Sequence, residues 1–275
     1  ANAQVNRFFY ELTYKPKKDS LKTEKTTMIL DIKKDQSIYQ DYVLVVQDSI
    51  LYQAMEEMKK TGIMFDQKKF ANQKPPKFAH RIFKAYPSME VRYKEQIAMD
   101  YFSYKETPQF NWKIENERSK IGDYEGQKAS TDYGGRKWTA WFSTDIPFQD
   151  GPYKFYGLPG LIIKIEDESK NYSWVLKGNK KVEQSADNLY SESLLKMSGK
   201  SNNVEVSKEK FVKRYEEYKK DPFASMREMI SQLPKDMKMP DGSTIAERMR
   251  EQEKKLKEYL NANDNSIETS TLQEK

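Results

Sequence analysis

From Val5 to about Val182 the apolar residues recur with a period of two, and the breaks between periodic stretches are too short to hold crossover helices. Phe8, Tyr10, Leu12 and Tyr14 share one strand face, and Met28, Leu30 and Ile32 share another, flanked by the β-favouring Thr26 and Thr27. After the Pro75-Pro76 break, alternating segments follow at 80–86, 89–97, 98–105, 110–121, 124–133, 136–144, 161–167 and 171–178. Turn signals such as Tyr86-Pro87-Ser88, Thr107-Pro108, Gly134-Gly135 and Glu168-Ser169-Lys170 bound them, which suits antiparallel hairpins. About eight to ten strands are expected, and a sheet of that size must curl or close.

The period changes twice. YVLVV at 42–46 reads as a short buried strand or as the lead into a helix, for Ile50, Leu51, Ala54, Met55 and Met58 then fall at helical spacing between Asp48 or Ser49 and Gly62. An inserted helix at about 48–61 is predicted. Past Val206, Ser207 can cap a helix bearing Phe211, Tyr215 and Tyr218, and Asp221-Pro222 restarts one with Phe223, Met226, Met229, Ile230 and Leu233 on its apolar side. Thr244 and Glu247 stand at capping-box spacing before a charged, surface-type helix over 245–260. The expected fold is therefore α+β: a large curled antiparallel β-meander, half-barrel-like, with one inserted helix and two to three C-terminal helices packed on it. It forms a single domain at 4–261, with the sheet at 5–182, the helices at 207–261 and a polar tail at 262–275. At fold level such a half-open sheet resembles periplasmic lipid and lipoprotein carriers.

Composition narrows the chemistry. The chain has no Cys, which removes disulfides, thiolate metal sites and Cys nucleophiles, and one histidine, His80, which excludes a multi-His metal site. Lys and Arg number 48 against 42 Asp and Glu, giving a net charge of +6. The basic residues are interleaved with acids along the chain, which argues against a nucleic-acid partner. No segment approaches the roughly 20 apolar residues of a bilayer-spanning helix. Mean hydropathy is −0.95, yet 18 Tyr, 13 Phe and 4 Trp supply apolar area for a core. Ala1-Asn2-Ala3 has the A-x-A form found before a signal-peptidase cut, so the mature chain is expected to begin at Gln4 unless these residues are a cloning remnant.

The strongest local signal is DGPYKFYGLPGLIIKIED at 150–167, where Leu158-Pro159-Gly160-Leu161 has the form of a type II turn feeding a buried strand. GLPGLI at 157–162 resembles the signature of the GLPGLI family of Bacteroidota. The stretches at 112–130 and 134–162, the Asp221-Pro222 helix start and NDNSIE at 263–268 are similar to that family's pattern in the same order. The resemblance implies a periplasmic or secreted, cell-envelope location, and it carries over neither a catalytic residue nor a cofactor. The ending NDNSIETSTL departs from the pattern in lacking a proline and a longer apolar run.

Candidate chemistry is sparse. His80 reads as a half-exposed strand-edge residue, and without G-x-S-x-G a serine hydrolase lacks its nucleophile elbow. The acids Glu115 and Glu117, Asp145 and Asp150, and Glu166 and Asp167 are the pairs a carboxylate hydrolase could use. Aromatic residues carry the stronger signal. Trp138 and Trp141 are three apart in one strand and face opposite sides of the sheet, so one of them lies away from a single-faced core. The ligand-binding candidates are Trp138, Trp141, Tyr153, Phe155, Tyr156, Gly157, Leu158, Pro159 and Gly160. The leading expectation is a non-enzymatic, cofactor-free and metal-free envelope protein. It would bind an apolar or peptide ligand, or dock to an outer-membrane complex. The alternative is a carboxylate-dependent hydrolase acting on peptidoglycan, polysaccharide or peptide.

Overall fold

The computed structural model describes residues 4–63, 74–98, 100–183, 203–231 and 242–269. Its strands are β1 (Gln4–Tyr14), β2 (Glu24–Ile32), β3 (Gln36–Asp41), β4 (Arg81–Ala85), β5 (Glu90–Ile97) and β6 (Asp100–Glu106). They continue with β7 (Lys113–Ile121), β8 (Tyr124–Tyr133), β9 (Arg136–Ser143), β10 (Leu161–Asp167), β11 (Tyr172–Glu183) and β12 (Asn203–Glu205). The helices are α1 (Tyr42–Thr61), α2 (Lys208–Lys220), α3 (Ala224–Ser231) and α4 (Ile245–Ala262). All twelve strands belong to one sheet in the order β12-β6-β5-β4-β3-β2-β1-β11-β10-β9-β8-β7, antiparallel throughout except for the short parallel β12–β6 pair. The sheet is open, with β12 and β7 as its edges.

Period two becomes a continuous inner layer because the register aligns the apolar parities. Phe8 faces Leu30 and Tyr10 faces Met28 on one side of β1, while Leu12 faces Trp174 and Tyr14 faces Tyr172 on the other. Every one of these side chains is buried. Tyr10 and Trp174 keep their polar atoms satisfied there, Tyr10 by donating to the Ile162 carbonyl at 2.7 Å and Trp174 by donating to the Tyr39 hydroxyl at 2.7 Å. At the β8–β9 turn Gly134 and Gly135 both have positive φ, 60° and 78°, as the two central positions of a type I′ hairpin require.

The first helix starts earlier than the spacing predicts. YVLVV forms its opening turns, because Asp41 rather than Asp48 or Ser49 is the cap: its carboxylate accepts from the Val43 amide at 2.9 Å. Asp41 also accepts from the amides of Lys77 and Phe78, fixing the returning chain before β4. Phe9, which alternates with core residues Phe8 and Tyr10, meets Tyr42 edge to face at 5.7 Å, so α1 covers the face opposite the aromatic core. At the other end, α2 is capped by Ser207 and seats Phe211 against Ile97 and Tyr104, covering the β5–β6 end of the inner face. The capping box of Thr244 and Glu247 opens α4, which has no buried residue. No described helix is long and apolar enough to cross a membrane. Leu233 and Ala1 to Ala3 lie outside the described residues.

Candidate functional site

The chain from Thr144 to Gly160 joins β9 to β10 and folds back over the inner face of the sheet. Phe155 sits at its deepest point, 0% exposed, edge to face with Trp138 at 4.9 Å and in contact with Trp174, Tyr133 and Phe110. Leu158 is buried in the same cluster. The inner face is therefore filled by the protein's own signature segment.

Two buried ammonium groups hold this segment in opposite directions. Lys84 shares the core parity of Ile82 on β4, and its Nζ donates to the carbonyls of Gly151 at 2.6 Å, Tyr153 at 3.1 Å and Phe155 at 3.3 Å. The same Nζ lies 2.5 Å from the Asp150 carboxylate, which also accepts from the Tyr86 hydroxyl. Burial pushes the Lys84 pKa down and Asp150 opposes that push. Lys154 reaches the other way, to the Tyr104 hydroxyl at 2.8 Å and to the carboxylates of Glu106 and Glu268. Lys208, at the start of α2, bridges the same two carboxylates at 2.7 and 2.8 Å. Two cations and two anions alternate, so the cluster is neutral. Burial alone would raise Glu268, but Lys154 and Lys208 outweigh it and hold the carboxyl at about 2.

Glu268 belongs to NDNSIE, at the start of the polar tail, and this stretch docks onto the sheet. Asn265 and Ile267 are buried. Arg136 on β9 donates to the carbonyls of Ile267 at 2.9 Å and Ser266 at 2.6 Å, and it also pairs with Asp167 at 3.1 Å. His80 is likewise buried, at 5% exposure, among the rings of Tyr39, Phe78, Tyr93 and Tyr153, and not half-exposed at a strand edge as its sequence position suggests. Burial, aided by the positive Lys154, lowers its pKa to about 3.

The aromatic candidates divide by depth. Trp138, Tyr153, Phe155, Leu158 and Gly160 are buried in the molecule, while Trp141 is half-buried on the opposite face of β9. Tyr156 is half-buried, and Gly157 and Pro159 are exposed. The type II turn is absent: Gly160 has no positive φ, and its amide donates to the Leu158 carbonyl at 2.8 Å across Pro159. Glycine is required there for space, since a Cβ would lie 2.1 Å from the Ser143 carbonyl oxygen.

Around the exposed end of the loop stands a small aromatic rim. Phe110 and Trp112, in the segment that carries the chain from β6 to β7, stack at 5.8 Å, and Phe110 meets Tyr156 edge to face at 5.1 Å. The Trp112 indole donates to the Tyr156 carbonyl at 2.8 Å and the Tyr156 hydroxyl to the Pro108 carbonyl, which fastens the rim to the loop. The candidate acids do not meet in a cleft. Glu115 and Glu117 flank Lys128 at 3.5 and 2.8 Å on the surface, Glu166 pairs with Lys164 at 3.1 Å, Asp150 holds the buried Lys84, Asp167 holds the half-buried Arg136, and Asp145 is exposed.

Lys84, Lys154, Arg136 and Glu268 escaped notice in the sequence because surface charges abound. The readable signal was a lysine at core parity beside Ile82. Glu268 entered the sequence reading only as the last residue of NDNSIE, with no role attached.

Residues 134–164, comprising β9, the loop and the start of β10, match a family model described as a protein of unknown function (Porph_ging). No curated protein matches the sequence. The fold is similar to PNGF-II in two crystal forms. One has a TM-score of 0.51 at 14% identity, covering 77% of this chain and 33% of that one. The other has a TM-score of 0.50 at 16% identity, covering 77% and 32%. This chain thus spans about a third of the length of PNGF-II. At these identities the likeness is one of fold alone.

Proposed function

We propose that this chain is a GLPGLI-type cell-envelope protein, periplasmic or secreted, that acts without catalysis by docking a peptide segment of an outer-membrane complex. The observation that carries the reading is the rim: Phe110, Trp112 and Tyr156 present half-buried rings beside the exposed Gly157 and Pro159. Aromatic residues on a rigid support are what a peptide-docking surface needs, because ordering them on binding costs little entropy. The rigid support is the buried loop behind them, fixed by Lys84 and Lys154. An apolar cargo inside the curl fits less well, since Phe155 and Leu158 occupy that space.

The test uses the full chain, wild type and with Pro159→Asp or Trp112→Ala, immobilised and challenged with a detergent-solubilised outer-membrane fraction and with peptide and lipid panels in thermal shift. The expected outcome is a peptide or outer-membrane protein held by the wild type and lost by both variants, with circular dichroism unchanged. Retention of the same species by both folded variants, or binding of nothing by the wild type, overturns the reading.

A further inference from the structure

The segment from Asp264 to Thr269 lies in its groove as a ligand lies in a receptor. The groove reads its backbone: the Asn265 amide donates to the Pro16 carbonyl at 3.1 Å, the Tyr172 hydroxyl donates to the Asn265 carbonyl, and Arg136 donates to the next two carbonyls, those of Ser266 and Ile267. At the far end the Thr269 amide donates to the carbonyl of Gly134 in the β8–β9 turn at 2.6 Å. Main-chain contacts of this kind supply affinity in extended-peptide recognition, and alternate side chains supply selectivity.

Three side chains are read. Asn265 donates to the Lys15 carbonyl at 2.8 Å and accepts from Arg136 at 2.8 Å, Ile267 is buried in the aromatic core cluster, and Glu268 enters between Lys154 and Lys208 while accepting from the Tyr153 hydroxyl at 2.7 Å. The helix that delivers the segment contributes no buried residue of its own. The fully buried part of its attachment to the sheet therefore resides in the segment.

We infer that this groove is a second docking site, for an extended peptide reading Asn-x-aliphatic-acid, occupied here by the chain's own tail as a tethered ligand and open to the same motif on a partner chain. A tether raises the local concentration of the resident segment to about the millimolar range, so a competitor is bound only when it is abundant or the tail is weakened. The groove shares Tyr153 and Lys154 with the loop that supports the aromatic rim, but it does not depend on the rim's proposed role.

The test is carried out on the full chain carrying Ile267→Asp, chosen to eject the tail by placing a charge in the apolar core, with a fluorescent peptide of sequence ANDNSIETS as probe. The expected result is saturable binding to the variant, at least tenfold weaker for the same peptide with Glu268→Lys and at least tenfold weaker to the wild-type chain. The milder Ile267→Ala chain is run in parallel, with peptide-dependent elevation of its Tm as the readout. Failure of the peptide to bind either folded variant overturns the inference, as does equal binding of the Glu268→Lys peptide. Loss of folding in both variants also overturns it, because the segment would then be part of the core and not a ligand.

Discussion

The Lys84 ammonium enters the signature loop from the sheet, and the Lys154 ammonium leaves the loop for the sheet, so two fully buried lysines fasten the same short segment, one reaching in and one reaching out. Lys84 satisfies loop carbonyls that would otherwise be buried without donors, and Lys154 ties the loop to β6, α2 and the tail. The loop is thereby an internal element of the core although it has no regular secondary structure.

Lys84→Met is expected to destabilise the fold by about 3–5 kcal/mol, because it leaves the Asp150 carboxylate buried without its cation. Adding Asp150→Asn removes the stranded charge, so the double variant should be more stable than the sum of the two single losses. Urea midpoints of the wild type and the three variants check this, and additive losses would refute it.

Gly160→Ala and Gly157→Ala should differ sharply. At Gly160 a Cβ has no room against the Ser143 backbone, and the expected loss is about 3 kcal/mol or more. At Gly157 the Cβ meets only Trp112 Nε1 at 3.9 Å, but φ is +93°, so the loss is that of a strained backbone, about 1–2 kcal/mol. Thermal unfolding of both variants gives the order, and a larger loss at Gly157 would contradict the packing argument.

His80 contributes stability that is complete above its ordinary pKa of 6.5 and is lost as the pH falls toward about 3, because folding holds the imidazole neutral. His80→Phe should accordingly lose less stability than the wild type between pH 7 and pH 4.5. Parallel pH curves for the two proteins would show that the acid sensitivity originates elsewhere.

Glu95 has the opposite sign. Burial raises its carboxyl to about 7 despite the hydrogen bond from Tyr93, at the junction where α2 meets β5. Its contribution is full below the ordinary carboxyl value of about 4.5 and disappears as the pH rises through 7. Denaturation midpoints at pH 5.5 and 8.0 should differ less in Glu95→Gln than in the wild type, and an unchanged difference would discount this carboxyl.

Much of the sheet was legible because inward and outward parities on strands such as β1 and β10 are chemically distinct. Phe8, Tyr10, Leu12 and Tyr14 are buried as their alternation requires. The predicted 124–133 and 161–167 strands match β8 and β10 residue for residue. Strand β3 was hidden, since Gln36, Ser37, Gln40 and Asp41 look like loop residues and are polar groups inside the sheet. The expected eight to ten strands became twelve partly through β3 and the three-residue β12. At the candidate site, the aromatic residues were visible from composition, but their depth depends on how a long connection folds over a curled sheet. The docked ending was illegible for the same reason: nothing local to Asn265 or Glu268 announces Arg136 and Lys154, which lie more than a hundred residues earlier.

The anchors on the loop also set a rule of length. Asp150 is pinned by Lys84, Lys154 by Glu106 and Glu268, and Gly160 by the backbone of Ser143, so an added or deleted residue between two of these points shifts one of them from its partner. A relative or redesign that varies the number of residues between two of them would have to rebuild at least one anchor, whereas at the surface turn at Gly122 a Cβ meets only open space.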